Sequence, residues 1–353
     1  SVISHIIFRE FRIFIPLSGI LLGVVVCGNA VILFDFILER YQRSRISAMF
    51  GTYVSPDLVN SIIQSGEEPT LGGEEVDITC FFSDVQGFSS ISEQLTPGRL
   101  VELMNEYLTA MTGVLDEHGG TLDKYVGDGI VAMFGAPIQV GNHARQACLA
   151  ALAMQRAQCE LRRTWQSAGA KWPDQCQAMR TRIGLNSGVV TVGNMGSEKR
   201  FNYTAMGDNV NLAARCESAA RYYGIYIMAA EETRTRCLAH SCEIAFRFID
   251  NIVVRGRLSP VAVYEVMGLK AEMSGTHLQL LEAWPDAVAR YLNRDWSGAI
   301  QALEKCREWE PLQPGRDAGV KTTPSEVLIA RCRVFAANDP GPGWNGVCVL
   351  TGK

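Results

Sequence analysis

The sequence predicts an α+β fold of ferredoxin-like type, preceded by a membrane-crossing helix and followed by a small helical extension. Three observations lead there. Short β-branched and aromatic runs alternate with amphipathic helices in the order strand, helix, hairpin, helix, strand, which suits a largely antiparallel sheet with helices on one face. Ile13 to Phe34 carries no charged side chain and, at about 1.5 Å per residue, is long enough to cross a bilayer core of roughly 30 Å. From Ala271 onward the pattern turns helical.

The apolar run reads as a transmembrane helix by hydropathy. A signal peptide is disfavoured by the length of the run and its lack of a small-residue cleavage site, and a buried helix by the scarcity of nearby sequence to cover it. Arg40, Arg43 and Arg45 follow the run and Arg9 and Arg12 precede it, so the charge bias leans slightly toward a cytosolic C-terminal side. Glu39 to Phe50 continues in helical register, and Tyr53 to Val59 starts a second short helix around Pro56; this linker is either a passive tether or a transducing element. The sequence opens on Ser1 without a methionine and reads as a piece of a longer protein. Residues 1–38 are therefore assigned to a membrane stub and helix, 39–71 to the linker, 72–270 to the central domain and 271–353 to the extension.

Within the central domain, Ile78 to Phe82 is an apolar strand. Thr96-Pro97 opens a helix as N-cap and first helical residue, and Leu100, Leu103, Met104, Tyr107, Leu108, Met111, Val114 and Leu115 give it an apolar face until Gly119-Gly120 ends it. Thr121 to Val126 and Ile130 to Phe134 form a tight hairpin whose turn is Gly127-Asp128-Gly129. Ala144 to Trp165 is a second long helix, and Arg182 to Gly193 a strand with a glycine interruption. Ala287 to Pro311 resembles a single tetratricopeptide-type helix pair, which cannot bury its own apolar face and must pack on the central domain, a twin or a partner. The Pro340–Trp344 stretch reads as a turn-rich tail without chemistry.

A chain of 353 residues has room for roughly two domains, and 47% hydrophobic with 20% charged residues is globular. Its net charge of -4 argues against nucleic acid as a partner. The 11 cysteines include no Cys-x-x-Cys pair, so neither a zinc site nor a disulfide framework is indicated and most read as reduced core thiols.

The chemistry-bearing residues fall in three segments. Asp84 ends the first strand, within Ser83-Asp84-Val85-Gln86-Gly87-Phe88, and Asp128 sits at the hairpin tip. Two carboxylates beside open backbone carbonyls suit a hard cation that keeps positions free for phosphate oxygens, and Gly87 lets backbone amides approach a ligand. In the third segment Gly207 turns a short strand into a helix on which Asn211 and Arg215, four residues apart, share a face.

Phe82 to Phe88, Asp123 to Asp128 and Tyr203 to Arg215 together resemble, in order and internal spacing, the three signature segments of class III nucleotidyl cyclases, over roughly residues 72 to 268. The resemblance implies a ferredoxin-like class III cyclase catalytic domain that converts ATP to 3′,5′-cyclic AMP and pyrophosphate by two-metal catalysis, with Mg2+ or Mn2+ held by Asp84, Asp128 and the Val85 carbonyl. It further implies phosphate contacts from the amides of Gln86, Gly87 and Phe88, transition-state stabilisation by Arg215, ribose positioning by Asn211 and base reading by Lys124 and Thr204. A lysine with Asp or Thr goes with adenine in that family, and Glu with Cys with guanine. Active sites there lie at a dimer interface, and this chain fills all six positions, Asp84, Asp128, Lys124, Thr204, Asn211 and Arg215, which favours a homodimer. Membrane-anchored members with a CHASE-type extracellular sensor look similar, with the catalytic domain on the cytoplasmic side. The alternatives are a guanylate cyclase or a catalytically silent nucleotide-sensing module. Leu71 to Val76 resembles the Gly-Gly turn of diguanylate cyclases but precedes the first strand, and is read as a loop.

Overall fold

The computed structural model describes residues 2–11, 17–50, 70–239, 243–253, 259–317 and 319–350, in two units divided after Glu67. The first unit holds α1 (Val2–Phe11) and α2 (Leu17–Phe50). Leu21–Gln42 within α2 has a mean hydropathy of 2.4 and no burial, so among the described residues one helix is long and apolar enough to cross a membrane. That window sits later than Ile13–Phe34, and the stretch from Glu39 to Phe50 belongs to the same helix. The Tyr53–Val59 helix lies outside the described residues.

The second unit is built on one sheet in the order β2-β3-β1-β4-β6-β8-β7-β9, with β5 attached to β4. Its central pair is β1 (Gly72–Val85) and β4 (Thr181–Ser197), antiparallel from Gly72↔Asn194 to Val85↔Thr181. The hairpin β2 (Gly120–Val126) and β3 (Gly129–Phe134) lies along β1, and β5 (Arg200–Met206) folds back on β4. β6 (Ile227–Ala230) runs parallel to β4, and β8 (Val261–Leu269) and β7 (Ile244–Val253) complete the antiparallel part.

Alternation along β1 divides the core. Phe81 and Val85 point into a cluster with Leu103, Tyr107, Met111 and Leu115 of α4 (Pro97–Glu117) and Ala147 and Ala151 of α5 (His143–Ser167). Ile78 and Cys80 face the other way, toward Val190, Val192 and Ala213 of α7 (Asp208–Tyr223). Helices therefore cover both faces, whereas the sequence placed them on one. Gly184 makes this possible: a Cβ there would lie 2.2 Å from the Glu217 amide nitrogen, so only glycine lets α7 press on β4. For the same reason the glycines of β4 do not interrupt it, since the strand runs unbroken from Thr181 to Ser197. Leu71 to Val76 is likewise not a loop; from Gly72 it is the exposed outer half of β1, paired with β4. Between β1 and α4 the chain makes the short α3 (Phe88–Ser92). Thr96 occupies the N-cap of α4 through its carbonyl, which accepts from the Leu100 amide at 2.9 Å, and makes no side-chain cap bond.

Past the short α6 (Asp174–Gln177) and α8 (Glu231–Leu238), the extension contains α9 (Gly275–Leu292), α10 (Trp296–Glu308) and a third helix, α11 (Pro324–Ala337). It packs on β7 of its own chain. Arg247 of β7 donates to Glu310 at 2.7 Å and to Glu265 at 2.6 Å, while Arg331 pairs with Asp250, which also accepts from Tyr223 Oη at 2.7 Å. The tail is more than turns: Trp344 stacks edge-on against Tyr291 and Trp296, and Val347–Val349 adds β9 parallel to β7.

Candidate active site

The pairing of β1 with β3 brings the two acids together. Ser83 lies opposite Ile130, and the Ile130 amide donates to Ser83 Oγ at 3.2 Å. Two residues further along from each, the Val85 amide donates to Asp128 Oδ2 at 3.0 Å. Gly129 is required beneath this turn, because a Cβ would come within 2.6 Å of the Ser83 carbonyl oxygen. Burial raises the Asp128 pKa above the usual carboxylate range; the Val85 amide pulls it back and the Asp84 charge raises it further. Asp84 is held from the other side: Arg182 Nη2 donates to its Oδ2 at 2.7 Å, and Arg182 Nε donates to Glu217 Oε1 at 3.0 Å.

Asp84, Val85, Gln86, Gly87, Phe88 and Asp128 line one cavity of about 590 Å³, opposite Arg180, Arg182, Arg221, Tyr226 and the Gly319–Thr322 segment. Gln86 is more engaged than the sequence suggested. Its amide donates to the Arg180 carbonyl at 2.8 Å, its Nε2 donates to the Gly319 carbonyl at 2.7 Å and its Oε1 accepts from Tyr226 Oη at 2.8 Å. The Gln86 amide is thus committed within the fold and does not face the cavity as a free donor, whereas Gly87 turns the chain there at φ 72°.

A second cluster forms at the base-reading positions. Lys124 Nζ donates to Thr204 Oγ1 at 3.2 Å, and Thr204 donates its own proton to Asp123 Oδ2. Asp123 is brought inward by a register shift between Leu122 and Lys124. Burial raises its pKa, opposed by the Thr204 hydroxyl and the Lys124 ammonium. Asp123 Oδ1 is buried 3.3 Å from that ammonium without an aligned hydrogen bond.

Asn211 and Arg215 lie on α7, Asn211 exposed and Arg215 half-buried. The helix start is pinned to β4: Asn186 Nδ2 donates to the Asn209 carbonyl at 2.9 Å, and Asn209 Nδ2 to the Val189 carbonyl at 3.0 Å. Arg215 Nη1 is buried and has no hydrogen-bond partner among the described residues. None of Lys124, Thr204, Asn211 and Arg215 lines the Asp84–Asp128 cavity.

The sequence reading did not single out Arg182, Asp123 or Tyr226. Asp123 lies next to Lys124 in the Asp123–Asp128 segment, and Arg182, 8% exposed, is a charge within the buried first half of β4.

The family model described as the adenylate and guanylate cyclase catalytic domain matches residues 73–268. The chain belongs to that family. It is 31% identical over 227 residues to adenylate cyclase 1 of Rhizobium meliloti, covering 64% of this chain and 33% of that protein. It is 34% identical over 192 residues to an adenylate cyclase of Anabaena cylindrica, covering 54% of this chain and 36% of the relative. The chain thus spans about a third of the length of these curated relatives. Among solved structures, the adenylyl cyclase CyaB from P. aeruginosa superposes with a TM-score of 0.51 at 34% identity, over 58% of this chain and 100% of that one. The class III cyclase family uses divalent metals, acts on nucleotides and typically dimerises.

Proposed function

We propose that this chain is an adenylate cyclase that converts ATP to 3′,5′-cyclic AMP and pyrophosphate at sites shared between two copies. The observation that carries the reading is the direction of the hydrogen bonds at Thr204. Its proton goes to Asp123, so Oγ1 presents an acceptor, beside the donor Lys124. Adenine offers a 6-amino donor next to a bare N1 acceptor, which this pair complements. Guanine offers the reverse pattern, and a site built for one leaves buried polar groups unpaired with the other.

The cavity residues fit the implied cations. Among the described residues no three His, Cys, Asp or Glu side chains converge, so two carboxylates and the Val85 carbonyl are the protein's oxygen donors, a sparse hard set that suits Mg2+ or Mn2+ coordinated in part by phosphate. Such ions supply a lowered pKa for the ribose 3′-hydroxyl and offset charge on the leaving pyrophosphate. Asp84 and Asp128 hold them, two per site. Gly87 and Phe88 present backbone amides to phosphate oxygens, and Arg182 provides positive charge at the same wall. Lys124 and Thr204 orient the purine, Asn211 positions the ribose, and Arg215 meets charge developing on the α-phosphate as the 3′-oxygen attacks it.

Since Arg215 and the base-reading pair lie away from the acids of their own chain, the reading assigns each site its acids from one copy and Lys124, Thr204, Asn211 and Arg215 from the other. We place α2 in the membrane by its hydropathy, with the catalytic unit on the cytoplasmic side where ATP is found. The test is product analysis of the full chain with ATP or GTP and either metal. Cyclic AMP as the main product is expected, and cyclic GMP or no cyclic product contradicts the reading.

A further inference from the structure

The Asp84–Asp128 cavity has a wall that the family match does not contain. The match ends at residue 268, yet Gly319–Thr322, between α10 and α11, lines the cavity. This strap is fastened at three points. The Gly319 carbonyl accepts from Gln86 Nε2 at 2.7 Å. The Thr322 carbonyl sits on Gly224, where φ is 71° and a Cβ would come within 2.0 Å of it. Beyond it, the Ser325 hydroxyl donates to Glu310 at 2.6 Å, and Glu310 is itself paired with buried Arg247. The strap's backbone is therefore held in place at the cavity rim.

The residues lining the cavity carry more positive than negative charge: Arg180, Arg182, Arg221 and Lys321 against Asp84 and Asp128. Arg182 is paired with Asp84 and Glu217, and Arg180 lies 3.8 Å from Asp317. Arg221 and Lys321 also line the cavity, both exposed, and neither makes an ion pair among the described residues. Two cations without a carboxylate thus face the space beside the acids. A polyphosphate is the chemistry that balances them, since its terminal groups carry several negative charges and accept several charge-assisted hydrogen bonds.

We propose that Lys321, supplied by the C-terminal extension, is a substrate-binding residue for the terminal phosphates of the nucleotide and for the pyrophosphate released; its place in catalysis rests on the cyclase reading above. The extension is then part of the substrate site, and a lysine on a fixed strap replaces bulk water at the end of the triphosphate farthest from the base. Because this contact is made equally before and during the reaction, its removal raises KM and leaves kcat nearly unchanged.

The experiment measures binding of inorganic tripolyphosphate by calorimetry, and KM and kcat for ATP, in the full chain and in Lys321→Glu, Lys321→Arg and Lys305→Glu. Lys305 on α10 serves as a control of equal charge change away from the cavity. Lys321→Glu is expected to weaken tripolyphosphate binding and raise KM by about tenfold, the size of one charge-assisted contact, with kcat within about twofold. Lys321→Arg is expected to retain most of the affinity, and Lys305→Glu all of it. Unchanged tripolyphosphate affinity in Lys321→Glu, or an equal loss in Lys305→Glu, overturns the proposal. A wild-type chain that forms no cyclic nucleotide, yet binds tripolyphosphate about tenfold tighter than Lys321→Glu, refutes the cyclase reading and leaves the polyphosphate contact standing.

Discussion

Arg182 donates through Nη2 to Asp84 Oδ2 at 2.7 Å while its Nε donates to Glu217 at 3.0 Å, so the acid at the end of β1 is oriented by a guanidinium that is itself fixed by a second carboxylate. Asp84→Ala and Asp128→Ala each remove one oxygen donor but leave Phe81, Ile130 and the rest of the core intact. Cyclic AMP formation is expected to fall by more than about a hundredfold, the order seen when one electrostatic stabiliser of a transition state is lost. Thermal melting measured alongside is expected to stay within a few degrees of wild type. An active, normally folded Asp84→Ala chain would show that Asp84 does not hold the metal.

Base choice should follow Thr204 and its neighbours. Lys124→Glu combined with Thr204→Cys reverses the donor and acceptor pattern facing the purine, so the ratio of kcat/KM for ATP over GTP is expected to drop by at least about tenfold. Asp123→Ala frees the Thr204 proton to turn outward and is expected to lower the same ratio by a smaller factor. If neither change moves the ratio, these residues do not read the base.

How much of this was legible in the sequence depends on what each residue's signal resembles. The hairpin and the two acids were readable because Asp84 and Asp128 close strands of clear β pattern and because three segments answered one another. Arg182 was not, since a lone arginine in a strand looks like a solvent-facing residue until the pairing Asp84↔Arg182 places it against the acid. The extent of β4 was obscured by Gly184, Gly188 and Gly193, which mark close approach of α7 and β1 rather than a break, and a single sequence cannot show what approaches. Leu71 to Val76 was misread because the outer half of β1 is exposed and lacks apolar alternation. Helix α11 and strand β9 were missed because their burial is against β7 and the aromatic cluster around Trp344, partners distant in sequence.

The extension's anchorage gives a stability prediction. Glu310 and Arg247 side chains are each 1% exposed, so Glu310→Ala leaves the guanidinium with Glu265 alone and also removes the acceptor of Ser325. A loss of about 3 kcal/mol is expected, the lower end for breaking a buried ion pair because one partner remains. Urea denaturation followed by tryptophan fluorescence measures it. A change below about 1 kcal/mol would mean the pair does not secure the extension.

His143 supplies a pH dependence. Its Nδ1 lies 2.7 Å from Thr79 Oγ1, and burial lowers its pKa, with Asp77 opposing and Arg236 adding to the effect. A histidine whose folded pKa is depressed binds fewer protons folded than unfolded between the two values, so stability falls as pH drops from the unfolded pKa toward the folded one. His143→Gln is expected to flatten the decline of Tm with acid below about pH 6.5. Parallel curves for variant and wild type would assign that decline to other groups.

The measurement that bears most directly on the account is the activity of mixed dimers. Asp84→Ala and Arg215→Ala chains, each expected to be nearly inactive alone, are co-expressed with different tags and the mixed species is purified. One of its two sites then joins an intact Asp84 to an intact Arg215, while the other collects both lesions. Cyclic AMP formation is expected to return toward half the wild-type rate per dimer. Mixed dimers as inactive as their parents would contradict it, placing Asp84 and Arg215 at sites that do not join across two chains.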